Sequence, residues 1–232
     1  MKYFRIPSVE GLKARTKAMR FSFTSGKDYL KAYAQDTDRR VEADPSTASG
    51  MPEEQIVPYV TAYTTALGLN QESRLLDFGC GTLRTGKHFI RKLPTSSYHG
   101  VDISPLAISH SLEIVENDES LSSKKPTLCV IDPLQPLELP FKPNFILCHS
   151  VFTHLDPSSA SGVFRQIAWV MEPGCTLAMT AFIDSKSKRK TYKSFWYTIG
   201  DLQSLAWASG IRLSFVPGRW TPNQALFVGS LH

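Results

Sequence analysis

The chain has 232 residues, 42% of them apolar, and a formal net charge of +5. That suffices for one domain with a sizeable core plus an extension, and no apolar run reaches the roughly 18 residues that a membrane-spanning helix needs. The charge is uneven: residues 1–40 hold ten Lys or Arg against four Asp or Glu, whereas the remaining 192 hold sixteen against seventeen. A basic segment of this kind is either a solvated helical face or a contact for an anionic substrate or nucleic acid.

Met1-Lys2-Tyr3-Phe4-Arg5 lacks the apolar core of a signal peptide, which leads to the expectation of a cytoplasmic protein. Residues 1–50 read as a helical extension, with candidate helices over Gly11–Phe21 and Asp28–Ala34. Tyr29 and Tyr33, at i and i+4, fall on one face. Residues 43–52 have the composition of a linker. The main domain is expected over 51–232. A helix from Pro52 to about Leu67 carries the apolar stripe Ile56, Val60, Tyr63, Leu67, with Pro58 as a possible kink and Gly68 as its stop.

The most informative stretch runs from Arg74 to Gly86, Arg-Leu-Leu-Asp-Phe-Gly-Cys-Gly-Thr-Leu-Arg-Thr-Gly. Leu75, Leu76 and Phe78 form a buried strand that stops at Gly79-Cys80-Gly81. A helical pattern opens at about Thr82 and carries Phe89, Ile90 and Leu93 inward. Strand, glycine turn and helix are the parts of a nucleotide-type site, because glycines let a ligand approach the backbone and a helix N-terminus leaves N–H donors free. A dinucleotide fingerprint needs G-x-G-x-x-G, and Arg84 stands at its third glycine. Asp77, just before the glycines, would repel a pyrophosphate and attract an ammonium.

A second strand follows, Ser97 to Asp102, then Ser104 as N-cap and Pro105 in the first turn of a helix to about Glu116. Asp102 falls 25 positions after Asp77, where nucleoside-binding α/β folds place the acid that accepts ribose hydroxyls. Residues 117–126 read as a polar surface loop. Thr127–Ile131 is a third strand ending at Asp132-Pro133. Asn144–Ser150 is a fourth, with His149 inside it and Val151-Phe152-Thr153-His154-Leu155 after it. A helix runs from Asp156-Pro157-Ser158 to about Met171, and a fifth strand covers Thr176–Ile183. Lys186, Lys188, Arg189, Lys190 and Lys193 make a basic loop. A helix over Ile199–Ser209 and two strands, Ile211–Val216 and Gln224–Gly229, end the chain as an antiparallel hairpin. Alternating strands and helices predict an α/β fold, a doubly wound, mainly parallel, Rossmann-like seven-stranded sheet. The four cysteines, Cys80, Cys129, Cys148 and Cys175, lie on or beside strands without C-x-x-C spacing, so reduced thiols and no metal are expected.

Leu-Asp-Phe-Gly-Cys-Gly-Thr resembles the first motif of class I S-adenosylmethionine (SAM)-dependent methyltransferases, and the resemblance extends over about 70 to 232. Leu137-Glu138-Leu139-Pro140-Phe141 and Val170-Met171-Glu172-Pro173-Gly174-Cys175-Thr176-Leu177 are similar to later passages of that family. With Ser150-Val151-Phe152-Thr153-His154-Leu155, the glycine loop looks like that of a bacterial subgroup often found near saccharide or secondary-metabolite pathways. Trp220, Pro222 and Gln224 match that subgroup's ending, but Thr221 replaces its histidine. The resemblance implies SAM as cofactor and Asp77, Gly79, Gly81, Arg84, Asp102, Ile103, Asp132, Pro133 and Ser150 as its site, with Asp132 meeting the adenine amine. It also implies that the N-terminal helices lid the cofactor, so that Tyr29 and Tyr33 are either a lid or a packing face.

SAM carries an activated methyl, so the enzyme must align the acceptor and, for oxygen, remove a proton. His154 is the candidate base, its alternative being a loop hydrogen bond or packing under the cofactor; His149 reads as structural. Three functions follow: a methyltransferase for a small-molecule acceptor, at oxygen, in a biosynthetic pathway; a nucleic-acid methyltransferase, favoured by the basic N-terminus but lacking the Asn/Asp-Pro-Pro-Tyr/Phe stretch of base-amine enzymes; or a protein that binds SAM without transferring methyl.

Overall fold

The computed structural model describes residues 24–46, 56–218 and 223–232. The candidate helix Gly11–Phe21, most of the expected linker, the helix start at Pro52 and the Trp220–Pro222 stretch lie outside them. Among the described residues nine strands join in one sheet. They are β1 Leu75–Phe78, β2 Tyr98–Asp102, β3 Thr127–Val130, β4 Phe145–Cys148, β5 Thr176–Ile183, β6 Lys188–Thr191, β7 Ser194–Tyr197, β8 Ile211–Val216 and β9 Ala225–Leu231. The helices are α1 Gly26–Ala43, α2 Ile56–Ala66, α3 Gly86–Lys92, α4 Pro105–Glu116, α5 Glu119–Ser122, α6 Pro157–Val170 and α7 Ile199–Trp207.

Strands β3-β2-β1-β4-β5 are parallel neighbours in that order. β9 pairs antiparallel with β5, and β8 with β9. The chain turns one way from β1 to β3 and the other way from β4 to β5, so the sheet's direction switches between β1 and β4. Open α/β sheets bind ligands beyond the carboxyl ends of the strands at such a point.

The winding follows from side-chain alternation. All four residues of β1 and of β4 are buried, as expected of strands covered on both faces. Leu76, Phe78, Ile146 and Cys148 join one core with Tyr29 and Leu30 of α1, Val163, Phe164 and Ile167 of α6, and Leu202 and Ala206 of α7. Leu75, Phe145 and Leu147 join the other, with Ile56, Val60 and Tyr63 of α2, Phe89 and Ile90 of α3, and Ile108 of α4. Helix starts follow local chemistry. Ser104 accepts from Ala107 N at 3.1 Å with Pro105 next, and Asp156 accepts from Ser158 N at 3.0 Å with Pro157 next.

Four expectations change. The helix expected from Thr82 begins at Gly86, because residues 82–85 turn tightly with Leu83 at φ 57°. β4 ends at Cys148, which places His149 beyond the strand. The polar stretch 117–126 contains α5, N-capped by Asp118. The basic loop folds into the hairpin β6–β7, so the sheet has two strands more than the seven expected. Phe182 and Ile183 at the end of β5 pair with Trp196 and Tyr197 of β7. Lys190 Nζ sits 3.2 Å from the Trp196 ring centroid, and Lys188 and Lys190 reach Asp184 at 2.8 and 3.4 Å, which lets a Lys-rich strand form. No helix of the described residues is long and apolar enough to cross a membrane.

Candidate cofactor and acceptor site

The first wall is the loop after β1. Gly79 has φ 83°, and a Cβ there would lie 2.5 Å from Val151 Cγ2, so the loop after β4 demands this glycine. The N–H groups of Gly79 and Cys80 both donate to Val101 O, at 2.7 and 3.0 Å, which ties the loop to the end of β2. Gly81, at φ 55°, donates to Asp102 Oδ2 at 2.9 Å, and Ser104 N donates to Asp102 Oδ1 at 2.9 Å. Burial raises the Asp102 carboxyl, and these backbone donors oppose the rise. Each oxygen keeps a lone pair for a ribose hydroxyl.

Asp77 is buried in the same wall, and burial pushes its carboxyl up to about 7. Tyr98 Oη donates to Asp77 Oδ2 at 2.6 Å and opposes that shift. To do so Tyr98 crosses the start of α3, and a Cβ on Gly86 would stand 2.2 Å from its Oη. The glycine that begins α3 is therefore room for Tyr98, a partner the sequence pattern did not reveal.

The facing wall follows β4. Ser150 adopts φ 60°, unusual for a residue with a side chain, and three contacts hold it there. Its N–H donates to Thr180 Oγ1 at 2.8 Å, its Oγ accepts from Gln224 Nε2 at 2.6 Å, and its carbonyl accepts from Thr153 Oγ1 at 2.7 Å. His149 Nδ1 is hydrogen-bonded to Tyr63 Oη of α2 at 2.7 Å. His154 donates from Nδ1 to the Lys193 carbonyl at 2.7 Å, which leaves Nε2 as its acceptor nitrogen. Burial lowers its pKa to about 4; the hydrogen bond to the Lys193 carbonyl opposes the fall, and the cations Lys193 and Arg40 add to it. Burial does the same to His149.

Helix α1 roofs the space between the walls. Its N-terminal Gly26 N donates to Asp156 Oδ2 at 3.2 Å, and Tyr29 Oη donates to the His154 carbonyl at 2.7 Å. Asp38 Oδ1 accepts from Ser104 Oγ at 2.6 Å and Leu106 N at 3.2 Å, at the start of α4. Tyr29 therefore points into the core, whereas Tyr33 stacks on the His154 ring at 5.1 Å, and the Arg40 guanidinium lies 5.9 Å from the Tyr33 centroid.

These elements enclose a cavity of about 310 Å³. Asp77, Gly79, Gly81, Arg84, Asp102, Ile103, Pro133, Ser150 and His154 all line it, as do Tyr33, Arg40, His149 and Lys193. Asp132 does not. Its exposed carboxylate accepts from Leu134 N at 3.0 Å and lies 3.9 Å from Lys27 Nζ, so it caps a turn outside the cavity while its neighbours Ile131 and Pro133 form the wall. The residues present fit SAM on their own chemistry. The groups acting on buried Asp77 are Tyr98 and Asp102, neither of them cationic, so a ligand ammonium would answer its charge. Gly81 has open space where a Cβ would be.

Residues 76–177 match the family described as "Methyltransferase domain". Residues 76–177 are thus similar to methyltransferase domains, and the fold and the glycine loop agree with that likeness. No curated protein matches the sequence. Among solved structures, the glycopeptide N-methyltransferase MtfA is similar at 10% identity and TM-score 0.62, over 76% of this chain and 90% of that one. Magnesium protoporphyrin IX methyltransferase (ChlM) from Synechocystis PCC 6803, solved with bound S-adenosylhomocysteine (SAH), is similar at 15% identity and TM-score 0.59, over 88% and 96%. A SAM-dependent methyltransferase from Clostridium acetobutylicum ATCC 824 is similar at 12% identity and TM-score 0.60, over 87% and 98%.

Proposed function

We propose that the protein methylates an oxygen of a small-molecule acceptor in a biosynthetic pathway, with His154 against the acceptor. The observation that carries this reading is that one roofed cavity is lined both by Asp77, the glycine loop and Asp102 and by His154. When bound, SAM supplies a methyl group already activated on a sulfonium. Asp77 takes the ammonium, Asp102 the ribose hydroxyls, and Ile103 and Pro133 border the adenine. The roof of α1 excludes water and holds the acceptor in line. His154, its Nδ1 proton committed to Lys193 O, presents Nε2 to the acceptor hydroxyl and receives its proton as the new bond forms.

Calorimetry with SAH tests the cofactor half. Mass spectrometry of metabolites from cells with and without the protein tests the acceptor half, through a mass gain of one methylene. A methylated RNA or DNA product, with no small molecule changed, would overturn the acceptor reading.

A further inference from the structure

The electrostatics around His154 narrow the acceptor further. Its Nδ1 proton goes to a main-chain carbonyl, where a strongly basic catalytic histidine would have a carboxylate. The charged groups that act on the ring are Lys193, from the turn of the β6–β7 hairpin, and Arg40, from α1; both are cations, and both line the cavity beside it. Asp36 lies 3.5 Å from Arg40 and offsets part of its charge. The other faces of the histidine are met by neutral rings and hydroxyls, Tyr33 stacked on it and Tyr29 on its carbonyl. On its His154 side, among the described residues, the cavity thus carries two cations and a weak base.

Three acceptor chemistries can be compared in that field. An aliphatic alcohol, about as weak an acid as water, would need a far stronger base than this imidazole. An amine arrives as an ammonium near neutral pH and is repelled by Arg40 and Lys193. An acidic hydroxyl loses its proton readily, and its anion is attracted by both cations.

Building on the proposed oxygen methylation, we propose that the acceptor is an acid, a carboxylic acid or an acidic phenol, whose ionisable oxygen is methylated beside His154 in the field of Arg40 and Lys193. The acid's proton either stays behind in solvent or passes to His154 Nε2. An electron pair on the acceptor oxygen forms the bond to the methyl carbon while the carbon–sulfur pair stays with sulfur. The products are a neutral ester or aryl ether and SAH, and any proton on His154 returns to water. Loss of the acceptor's negative charge also favours release of the product from the side of the pocket that holds Arg40 and Lys193.

The test begins with SAH calorimetry on the full chain. Failure to bind SAH defeats the methyltransferase reading itself, whatever the acceptor. With SAH binding established, SAH formation from SAM is measured across a matched panel: aryl carboxylates and acidic phenols beside the corresponding amides, aliphatic alcohols and amines. Turnover is expected for the acids, and the carboxylate and phenol arms tell which acid is used. In K193Q and R40Q the acid's KM should rise about tenfold or more, the scale for losing a contact to a charged group. SAH affinity should stay within about twofold, and K193R and R40K should recover most of the loss. An unreactive acid bound with SAH should also move the His154 ring NMR signals toward imidazolium, and its amide should not. Turnover of alcohols or amines with the acids inert would overturn the proposal. So would an acid KM unmoved in both charge-removing variants, or a loss confined to SAH affinity, which would hand the two cations to the cofactor.

Discussion

Tyr98 and Asp77 form a buried pair whose balance sets how the cavity meets a cation. The carboxyl at about 7 is half ionised near neutrality, and the Tyr98 hydroxyl at 2.6 Å is what keeps it from rising further. A ligand ammonium favours the ionised form, so SAM affinity should increase as pH rises through about 7, with proton release on binding. Y98F removes the donor and leaves the volume. We expect SAM affinity at pH 7 to fall by about 1.5–3 kcal/mol, the scale for a hydrogen bond to a charged group, and the pH midpoint of binding to move up. Calorimetry from pH 6 to 9 checks both; an unshifted midpoint would separate Tyr98 from Asp77. For His154, H154A should lower turnover by about 10²-fold, the low end for a general base, with SAM affinity nearly unchanged. A cofactor-affinity loss large enough to explain the whole defect would make it a cofactor contact. The acids and glycines at strand ends were legible in the sequence because their spacing is local. Asp132 was misplaced because an acid that caps its own turn reads like one that faces a ligand. Tyr98 and Thr180 were missed, and Gln224 was noted without a role, because each serves its partner across the sheet, at a distance that no local pattern encodes.

At the scale of elements, the roof is pinned near both of its ends to the domain it covers. Asp38 bonds the start of α4 just after Asp102, and Asp156, the N-cap of α6, also holds Gly26 N. The roof therefore rests on the same two strand ends that carry the site, one after β2 and one after β4. D38A should free the α4 pin alone and cost about 1 kcal/mol, the scale of a lost cap. Hydrogen exchange of α1 amides should speed up, more so near Asp38 than near Tyr29, which remains buried in the core. Uniform exchange in wild type and variant would mean that core packing alone holds the roof. The central strands β1 and β4 were readable because they are apolar and buried on both faces, and the helix starts because Ser104 and Asp156 cap within three residues. The β6–β7 hairpin was not, since a run of lysines has no strand signal by itself. Its pairing depends on Asp184, on Trp196, and on Arg189 placed over the rings of Tyr29 and Phe195. That one element supplies both Lys193 and the carbonyl that orients His154, so the least legible part of the sheet touches the His154 side of the cavity.

Across the whole molecule, three histidines packed into the fold, His99 buried and His149 and His154 half-buried at the cavity, set how the fold responds to acid. His99 in β2 and His149 and His154 beyond β4 are all held neutral by burial, each with a pKa of about 4. In the unfolded chain each titrates near roughly 6.5. Above that pH they are neutral in both states and their contribution is fully present. As pH falls from about 6.5 to about 4 the unfolded chain takes up protons that the folded one refuses, and each histidine removes up to about 3 kcal/mol of stability. Asp77 acts in the opposite sense. Its folded pKa of about 7 lies above the unfolded value of roughly 3.9, so its contribution is present at low pH and is lost as pH rises through about 7. Asp102, whose carboxyl burial also raises, acts in the same sense as Asp77, so three histidines stand against two carboxyls. Against a typical total stability of about 5–15 kcal/mol, a net of one such group is a sizeable fraction. The melting temperature should hold between pH 7.5 and 6.5, then fall steeply toward pH 4. Saturating SAH should raise it most at the upper end, where Asp77 is ionised and answered by the ammonium. Thermal unfolding across this range, with and without SAH, checks the sign at both ends. A melting temperature that climbs as pH drops would mean that the two carboxyls outweigh the histidines, and a flat one that the three rings are hydrated in solution.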